Sequence, residues 1–360
     1  MKGDNSWKKI KMEDLGEVIS GGTPKTGIPN YWDGDINWVT PTDVTALKGR
    51  KYISLTKRTI SEEGLKNSSA NMLPLNTVIV CTRATIGDSV INKVPISTNQ
   101  GFKSLITKSD VSSEYIYYWI SANKKELIKQ SSGSTFLELS TKSFKSLNVL
   151  IPPFPEQQKI AEILSTVDDK IEVIDQQITE TQELKKGLMQ RLLTKGIGHT
   201  EFKDSPLGEI PKSWEVFKIQ ELLDTNRIIS HLDGNHGGLY PKANEFINEG
   251  VPYIGANCFL NNRVDFSKCK HLSMERSLLF KKGVAKDGDV LFAHNATVGP
   301  VAYLETELDF VILSTTATYY RLDNKTIDAK YWLFFLSSPT FKNQYEKVMG
   351  QSTRNQVPIT

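Results

Sequence analysis

The feature that most constrains this chain is the segment Glu156–Lys195, in which apolar side chains recur every three or four positions. This spacing places them on one face of an α-helix and is typical of a helix that packs along a long partner. Three prolines between 152 and 155 mark its start, and Gly196 marks its end. Such a helix would be about 60 Å long at 1.5 Å per residue, whereas globular helices seldom exceed twenty-five residues. We therefore predict a spacer helix in preference to a core helix of one large domain.

The apolar face of this predicted helix is called the seam below. Its members are Ile160, Leu164, Val167, Ile171, Ile174, Ile178, Leu188 and Leu192. Thr181 and Lys185 fall on the same face, so the register weakens towards the end of the segment.

Length and composition favour a cytoplasmic protein of two domains plus a spacer. The chain has 360 residues, 39% hydrophobic and 24% charged, which are values of soluble globular proteins. Eighteen consecutive apolar residues do not occur, and the first seven residues are too polar for a secretory signal. The net charge of +3 neither requires nor excludes a nucleic-acid partner.

Catalytic and metal-binding motifs are not recognisable. Cys81, Cys258 and Cys269 are too scattered for a disulfide framework or a zinc site, so buried thiols are expected and no metal is predicted. The glycines at 22 and 27 have the spacing of a phosphate-binding loop, but Ile28-Pro29 follows where Lys-Ser/Thr is required. The five histidines form no HExxH pair. We therefore expect a chain that is not catalytic by itself and binds no cofactor.

The sequences before and after the predicted helix repeat one another. Five pairs of segments match in the same order: Trp7 with Trp214, Asn37-Trp38-Val39 with Pro252-Tyr253-Ile254, Leu75–Gly87 with Lys286–Gly299, Tyr117–Ile120 with Tyr331–Leu333, and Gly133–Thr135 with Gln351–Thr353. The third pair ends in both halves with Ala-Thr, a β-branched residue and Gly. Shared β-strand composition would explain one or two matches but not their order, so we infer a tandem duplication.

The predicted fold class is α+β, with two similar domains joined by a long coiled-coil-type helix. The expected boundaries are 1–155 for the first domain, 156–196 for the helix and 197–360 for the second domain. The strands predicted in the first domain are Ile36–Thr40, Thr77–Arg83, Ser89–Ile91, Gly101–Thr107 and Leu147–Ile151, and Tyr115–Leu127 is predicted as a helix.

Polar residues in the loops of both halves favour DNA binding, because these residue types donate to phosphates and to base edges. The candidates of the first half are Lys25, Thr26, Thr42, Arg83, Thr85, Gln100 and Ser134. Those of the second half are Asn257, His294, Asn295, Thr297 and Arg354. Each alone is an ordinary solvated loop residue. Their recurrence at equivalent places raises them above that background, and Arg83, Lys25, Arg354 and Asn295 are the strongest.

Three segments carry a family resemblance. They are Ile151-Pro-Pro-Phe-Pro-Glu-Gln-Gln-Lys-Ile-Ala-Glu-Ile-Leu, Gly187-Leu-Met-Gln-Arg-Leu-Leu-Thr-Lys-Gly and Leu207-Gly-Glu-Ile-Pro-Lys-Ser-Trp-Glu-Val. They resemble the conserved regions of specificity subunits of type I restriction-modification systems. The likeness extends over essentially the whole chain, with the two recognition domains matching in outline.

This resemblance implies a non-catalytic subunit whose two target-recognition domains read the halves of a bipartite site in double-stranded DNA. It also implies docking to modification subunits that use S-adenosylmethionine, and to a restriction subunit that uses ATP and Mg. Family members have a second long helix after the second domain, and this sequence reaches Thr360 without one. We therefore expect the seam to pair with a second copy of the chain or with modification-subunit helices.

Two functions of other classes stay open at this point. One is a coiled-coil scaffold whose globular ends bind proteins and not DNA. The other is a nuclease or methyltransferase with an unrecognised site.

Overall fold

A computed structural model describes residues 7–133, 137–349 and 356–357. The chain divides into two compact units, Met1–Gln177 and Ile178–Thr360, and the division falls inside one continuous helix, Phe154–Lys195. The prediction of a long helix is therefore confirmed. It begins slightly earlier than expected, because Pro155 occupies the first turn, where its missing N–H would have had no helical partner.

The first unit is built on a five-stranded sheet. Its strand order is Gly16–Ser20, Phe102–Thr107, Val78–Cys81, Ser89–Asn92 and Tyr52–Ile53. Neighbours are antiparallel except for the last pair. A three-stranded sheet has the order Thr59–Ile60, Trp32–Val39 and Ser97–Thr98, and Lys8–Lys11 pairs with Asn148–Ile151. All five strand segments predicted from the sequence overlap these strands.

The helices of the first unit are Met12–Leu15, Pro41–Ala46, Glu62–Lys66, Ser113–Ala122, Lys124–Lys129 and Thr141–Lys145, with a 3-10 turn at Pro29–Tyr31. The single helix predicted over Tyr115–Leu127 is thus two. Asn123 separates them, because its side-chain amide donates to the carbonyl of Trp119 at 2.8 Å and its backbone leaves the helical region. Such side-chain competition for helix carbonyls is usual for asparagine.

The second unit contains two larger sheets. The first has the order Ile228–Asp233, Ala317–Leu322, Val290–Ala293, Val301–Tyr303, Arg263–Val264 and Phe259–Leu260. The second has the order Phe246–Ile247, Lys270–Leu272, Val251–Ile254, Val311–Leu313 and Val284–Ala285, and Phe202–Lys203 pairs with Ile210–Pro211. The helices are Ile219–Asp224, Met274–Ser277, Ala329–Leu336 and Pro339–Met349, with 3-10 turns at Gly237–Leu239, Ala243–Glu245, Ala256–Cys258 and Phe266–Lys268.

The two units repeat one topology, which confirms the duplication inferred from sequence. In each large sheet the strand that comes first in the chain pairs antiparallel with the strand that comes last, and a buried apolar strand lies next to that last strand. These buried strands are Val78–Cys81 and Val290–Ala293, whose side chains are buried on both faces. In each second sheet a parallel pair recurs, Trp32–Val39 with Ser97–Thr98 and Val251–Ile254 with Val311–Leu313.

Each unit has a core on both sides of its large sheet. In the first unit the helix Ser113–Ala122 and Phe144 cover one face, and Phe102 and Ile79 fill the other. In the second unit the helices Ala329–Leu336 and Pro339–Met349 cover the corresponding face. The burial of apolar side chains on both faces stabilises the strands. The loops that connect the strands are therefore held in defined positions.

Candidate nucleic-acid interface

Five loops of the first unit meet at one end of its sheets. We call residues 20–26, 39–42, 82–85, 98–101 and the described part of 132–139 the first loop cluster. Its backbone hydrogen bonds are Gly21 N–H to Phe102 O at 3.3 Å, Asn99 N–H to Val39 O at 3.1 Å, Thr82 N–H to Gly101 O at 2.8 Å and Leu139 N–H to Thr82 O at 3.0 Å. The loops are therefore positioned by one another as well as by the sheets.

The second unit holds the same arrangement. Its loop cluster comprises residues 233–236, 254–257, 293–297, 313–316 and 356–357. The matching bonds are Gly234 N–H to Ala317 O at 3.2 Å, Ser314 N–H to Ile254 O at 2.7 Å, His294 N–H to Thr316 O at 3.1 Å and Val357 N–H to His294 O at 2.8 Å. Because the backbone hydrogen bonds match, positions in the loops of one unit can be paired with positions in the other.

The repeated Ala-Thr-x-Gly motif has a backbone cause. Ala84 and Ala296 lie in the left-handed region, with φ of 58° and 65°. Gly87 and Gly299 then donate back to the last strand residue, Cys81 O at 2.9 Å and Ala293 O at 3.0 Å. The alanine conformation is costly for an L-residue and persists where the surroundings fix it. One consequence is that Arg83 and Asn295 occupy equivalent positions.

The predicted residues of the first unit lie mostly at the surface of its loop cluster. Lys25, Thr26, Thr42 and Gln100 are exposed, and the Thr23 hydroxyl donates to the Gln100 side chain. Arg83 is half-exposed and pairs with Glu138, at 2.8 Å between Nη2 and Oε2. Thr85 is half-buried, and its side chain lies next to the buried Cys81 thiol. Ser134 lies outside the described residues.

The predicted residues of the second unit are less uniform. Asn257 and Thr297 are exposed, and Asn295 is half-buried with its amide donating to Thr315 O at 3.4 Å. His294 is different, because only 2% of it is exposed. It therefore lies beneath the loop and not on the surface that the sequence pattern suggested. Arg354 lies outside the described residues.

Two histidines lie in or next to the second loop cluster, the half-buried His231 and the buried His294. His231 stacks on Tyr320 with 4.4 Å between ring centroids, and burial lowers its pKa to about 4. Burial also lowers the pKa of His294, and the nearby Val357 backbone opposes that effect. Both rings are thus held neutral near pH 7, and they shape the loop without adding charge.

Some residues of the clusters were missed in the sequence. The Arg58 guanidinium carbon lies 3.9 Å from the centroid of the Trp32 ring, and the Trp32 indole donates to Lys25 O at 3.3 Å. A second cation therefore lies close to the loop that carries Lys25. Glu138 and Gln356 bridge to Arg83 and Asn295 at equivalent positions. Neither Arg58 nor Glu138 belongs to a motif, and only the fold brings them to the cluster.

The first turns of the long helix are anchored to the first unit. Gln157 is buried, and its side-chain oxygen accepts from the Ser112 N–H at 2.9 Å while its amide donates to Pro152 O at 2.9 Å. Two turns later, Lys51 donates to Ser165, and Tyr118 donates to Asp168 at 2.6 Å. Ile160, expected on the seam, packs against the core of this unit. The remaining seam members are exposed, with Ile171, Ile174 and Ile178 at 50–52%.

The described residues contain neither a candidate metal site nor a membrane-spanning helix. Groups of three or more His, Cys, Asp or Glu arranged to hold a metal are absent from residues 7–133, 137–349 and 356–357. In the same residues, every helix is too short or too polar to cross a bilayer. The thiols of Cys81 and Cys258 are buried, as predicted, whereas Cys269 is half-buried.

The family model for the "Type I restriction modification DNA specificity domain" matches residues 5–183 and 211–360. The chain belongs to this family. The two matched ranges correspond to the two repeats, so the specificity domain occurs twice. The predicted fold class, with two similar domains and a long helix between them, is thereby confirmed.

Curated relatives of this chain carry specificity-subunit names. The type I restriction enzyme MjaIX specificity subunit of Methanocaldococcus jannaschii is 38% identical over 226 residues, which cover 60% of this chain and 51% of that protein. The MjaVIII specificity subunit of the same organism is 23% identical, covering 95% and 77%. The EcoR124I/EcoR124II specificity subunit of Escherichia coli is 29% identical, covering 50% and 44%. The chain thus spans about half the length of the first of these relatives.

Two solved structures share the fold at low sequence identity. A type I restriction-modification S subunit from M. genitalium has a TM-score of 0.51 at 13% identity, covering 98% of this chain and 82% of that one. A structure described as concerning "complex assembly" and "conformational transition of the type I R-M system" has a TM-score of 0.58 at 14% identity, covering 99% and 84%. This likeness concerns the fold, which is the architecture described above.

Proposed function

We propose that this chain is the sequence-specific DNA-recognition subunit of a type I restriction-modification complex, and that each unit reads one half of a bipartite site. The observation that carries this proposal is the pair of loop clusters, which share a backbone but present different polar side chains. A fixed frame with variable side chains is what two readers of different sequences require. Family membership and the relatives' names support the same function, whereas nothing in the described chain favours a scaffold that does not bind DNA.

DNA contacts are assigned to exposed and half-buried residues of the two clusters. Lys25 and Arg83 supply cations in the first unit, and Asn257, Asn295 and Thr297 supply hydrogen-bonding groups in the second. Lysine and arginine contact phosphates, while arginine and asparagine also make paired contacts with base edges in the major groove. Ser134 and Arg354 stay in the proposal as predicted from sequence alone.

The long helix is proposed to set the spacing of the half-sites and to dock modification subunits. A helix of 42 residues extends about 63 Å. The exposed seam from Leu164 to Leu192 needs an apolar partner, because each aliphatic side chain contributes roughly 1.5 to 3 kcal/mol when buried. Candidate partners are modification-subunit helices and the seam of a second copy.

Catalysis is assigned to partner subunits. In this proposal the modification subunits use S-adenosylmethionine, the restriction subunit uses ATP and Mg, and this chain supplies recognition only. The place of action is the cytoplasm, where the target DNA is. Methyl transfer or cleavage by the purified chain alone would contradict this division of labour.

Direct binding to duplex DNA tests the proposal. Affinity of the full chain for a pool of duplexes is measured by fluorescence anisotropy at salt concentrations from 50 to 200 mM. A reader with several phosphate contacts loses affinity steeply over this range, by about 10³-fold or more for six contacts. Weak binding that does not respond to salt would favour the protein scaffold instead.

A further inference from the structure

Lys103 is a buried lysine at the base of the first loop cluster. Only 6% of it is exposed, and it lies in the large sheet between Ser20 and Val80 of the neighbouring strands. The burial is that of the residue as a whole, because the ammonium of Lys103 is not one of the fully buried polar groups without a partner in the described residues and so keeps some contact with solvent. Burial lowers its pKa, while the nearby Glu138 opposes that effect and Arg83 adds to it. A lysine whose stem is buried and whose ammonium reaches solvent presents its charge at one fixed place.

The direction of the Lys103 side chain follows from strand alternation. Lys103 faces the same side of the sheet as Val80, and Thr82 comes two residues after Val80 on that side. Leu139 pairs with the Thr82 backbone immediately above, and Glu138 pairs with Arg83. The ammonium therefore rises towards the Arg83–Glu138 pair at the surface of the cluster.

The second unit carries neutral groups at all three corresponding positions. Thr318 takes the place of Lys103, since it lies opposite Asp233 and Phe292 in the same register. Asn295 takes the place of Arg83, and Gln356 takes that of Glu138. The hydroxyl of Thr318 is also buried without a partner in the described part of the chain. The backbone register at these positions is the same in both units. Only the first unit carries charged side chains there, so the two units differ chemically at this place.

We propose that Lys103 is a base-reading residue of the first unit, which with Arg83 selects guanine where the second unit selects adenine through Asn295. This inference rests on the proposed DNA-recognition function. Guanine presents two acceptors, O6 and N7, in the major groove, and lysine and arginine are the side chains that pair with them. Adenine presents N7 and the N6 amino group, which match the amide of asparagine. Glu138 balances one of the two cations in the free protein, which limits indiscriminate binding to phosphates.

Selection from random DNA tests this assignment. The full chain is incubated with duplexes that contain about 30 randomised base pairs, and the bound DNA is sequenced over several rounds. Lys103→Thr gives the first unit the residue of the second, and Lys103→Met keeps the side-chain length while removing the charge. Lys11→Thr is the matched control, since Lys11 is exposed and lies beyond the Gly16 end of the strand Gly16–Ser20, away from the loop cluster. Thermal unfolding of each variant is recorded in parallel.

The wild type is expected to enrich two short motifs, one with a required guanine and one with a required adenine. Both Lys103 variants should reduce the preference for that guanine by about 10- to 100-fold and leave the adenine motif unchanged. Lys103→Met should melt close to the wild-type temperature, because methionine keeps the buried apolar stem of the side chain. Lys11→Thr should change neither motif.

Three results would overturn the inference. If wild-type motifs survive both Lys103 substitutions, Lys103 does not read a base, although the proposed function stands. If guanine preference is lost only together with a melting temperature several degrees lower in both variants, Lys103 has a structural role. If the wild type enriches no sequence at all, the proposed function fails and the inference fails with it.

Discussion

Replacing Gln157 by Ala should detach the start of the long helix from the first unit. The Gln157 side chain is 2% exposed and makes three hydrogen bonds: from Ser112 N–H at 2.9 Å, to Pro152 O at 2.9 Å and to Asp110 O at 3.3 Å. Each is worth about 0.5–1.5 kcal/mol, and the third is long, so the three together contribute roughly 2–3 kcal/mol. Ser112 is also the N-cap of the helix Ser113–Ala122. The substitution leaves the Ser112 N–H without its acceptor and so weakens the start of that helix as well.

Urea unfolding of the full chain measures this loss. Gln157→Ala should lower the unfolding free energy of the first unit by about 2–3 kcal/mol with little change in the denaturant slope. Gln158→Ala is the matched control, because the neighbouring glutamine is exposed, and its effect should stay within about 0.5 kcal/mol. Equal effects of the two substitutions would refute the anchoring role of Gln157.

Three further predictions concern the second unit and the seam. Arg321→Met should destabilise the second unit by about 3–5 kcal/mol in urea unfolding, because the buried Asp289 loses the arginine that donates two hydrogen bonds to it. The control Arg263→Met removes an exposed ion pair and should destabilise the unit by less than about 0.5 kcal/mol. Similar losses of unfolding free energy in the two variants would contradict the argument. The pKa of His231 is about 4 in the folded chain and 6.5 ordinarily, so the unfolded state takes up the proton first, and stability falls as pH drops below about 6.5. The unfolding free energy should fall by about 2 kcal/mol between pH 7.5 and pH 5, and by less in His231→Phe. An identical pH dependence in that variant would show that His231 is not the group responsible. Ile171→Lys with Ile174→Lys should reduce self-association in light scattering at micromolar concentration, whereas Val173→Lys, outside the seam, should not; a monomeric wild type would exclude pairing with a second copy.

Periodic and repeated patterns in the sequence predicted the architecture. The seam spacing predicted the helix Phe154–Lys195, and ordered matches such as Leu75–Gly87 with Lys286–Gly299 predicted two copies of one domain. The seam spacing and the matched segments can both be read directly from the order of the residues, without knowledge of the fold. The break at Asn123 was not predicted, because it depends on one side-chain hydrogen bond that competes with the helix.

The candidate site could be predicted only in part. Exposed loop residues such as Lys25 and Asn257 follow from composition, since polar residues between strands are usually solvated. The burial of His294 and the place of Lys103 could not be read in this way. Each is fixed by strand register and by a distant segment, residues 356–357 for His294 and 138–139 for Lys103. The sequence pattern treats both as ordinary polar residues, whereas the fold puts them under the loops.

Methylation of a host genome tests the central claim most directly. A host that carries the complete restriction-modification system is sequenced by a method that detects methylated bases, with either this chain or its Arg83→Ala variant. The account predicts methylated adenines within one bipartite motif, and a variant in which one half of the motif is relaxed or lost while the other half is kept. Methylation that does not depend on this chain, or a motif that Arg83→Ala leaves unchanged in both halves, would contradict it.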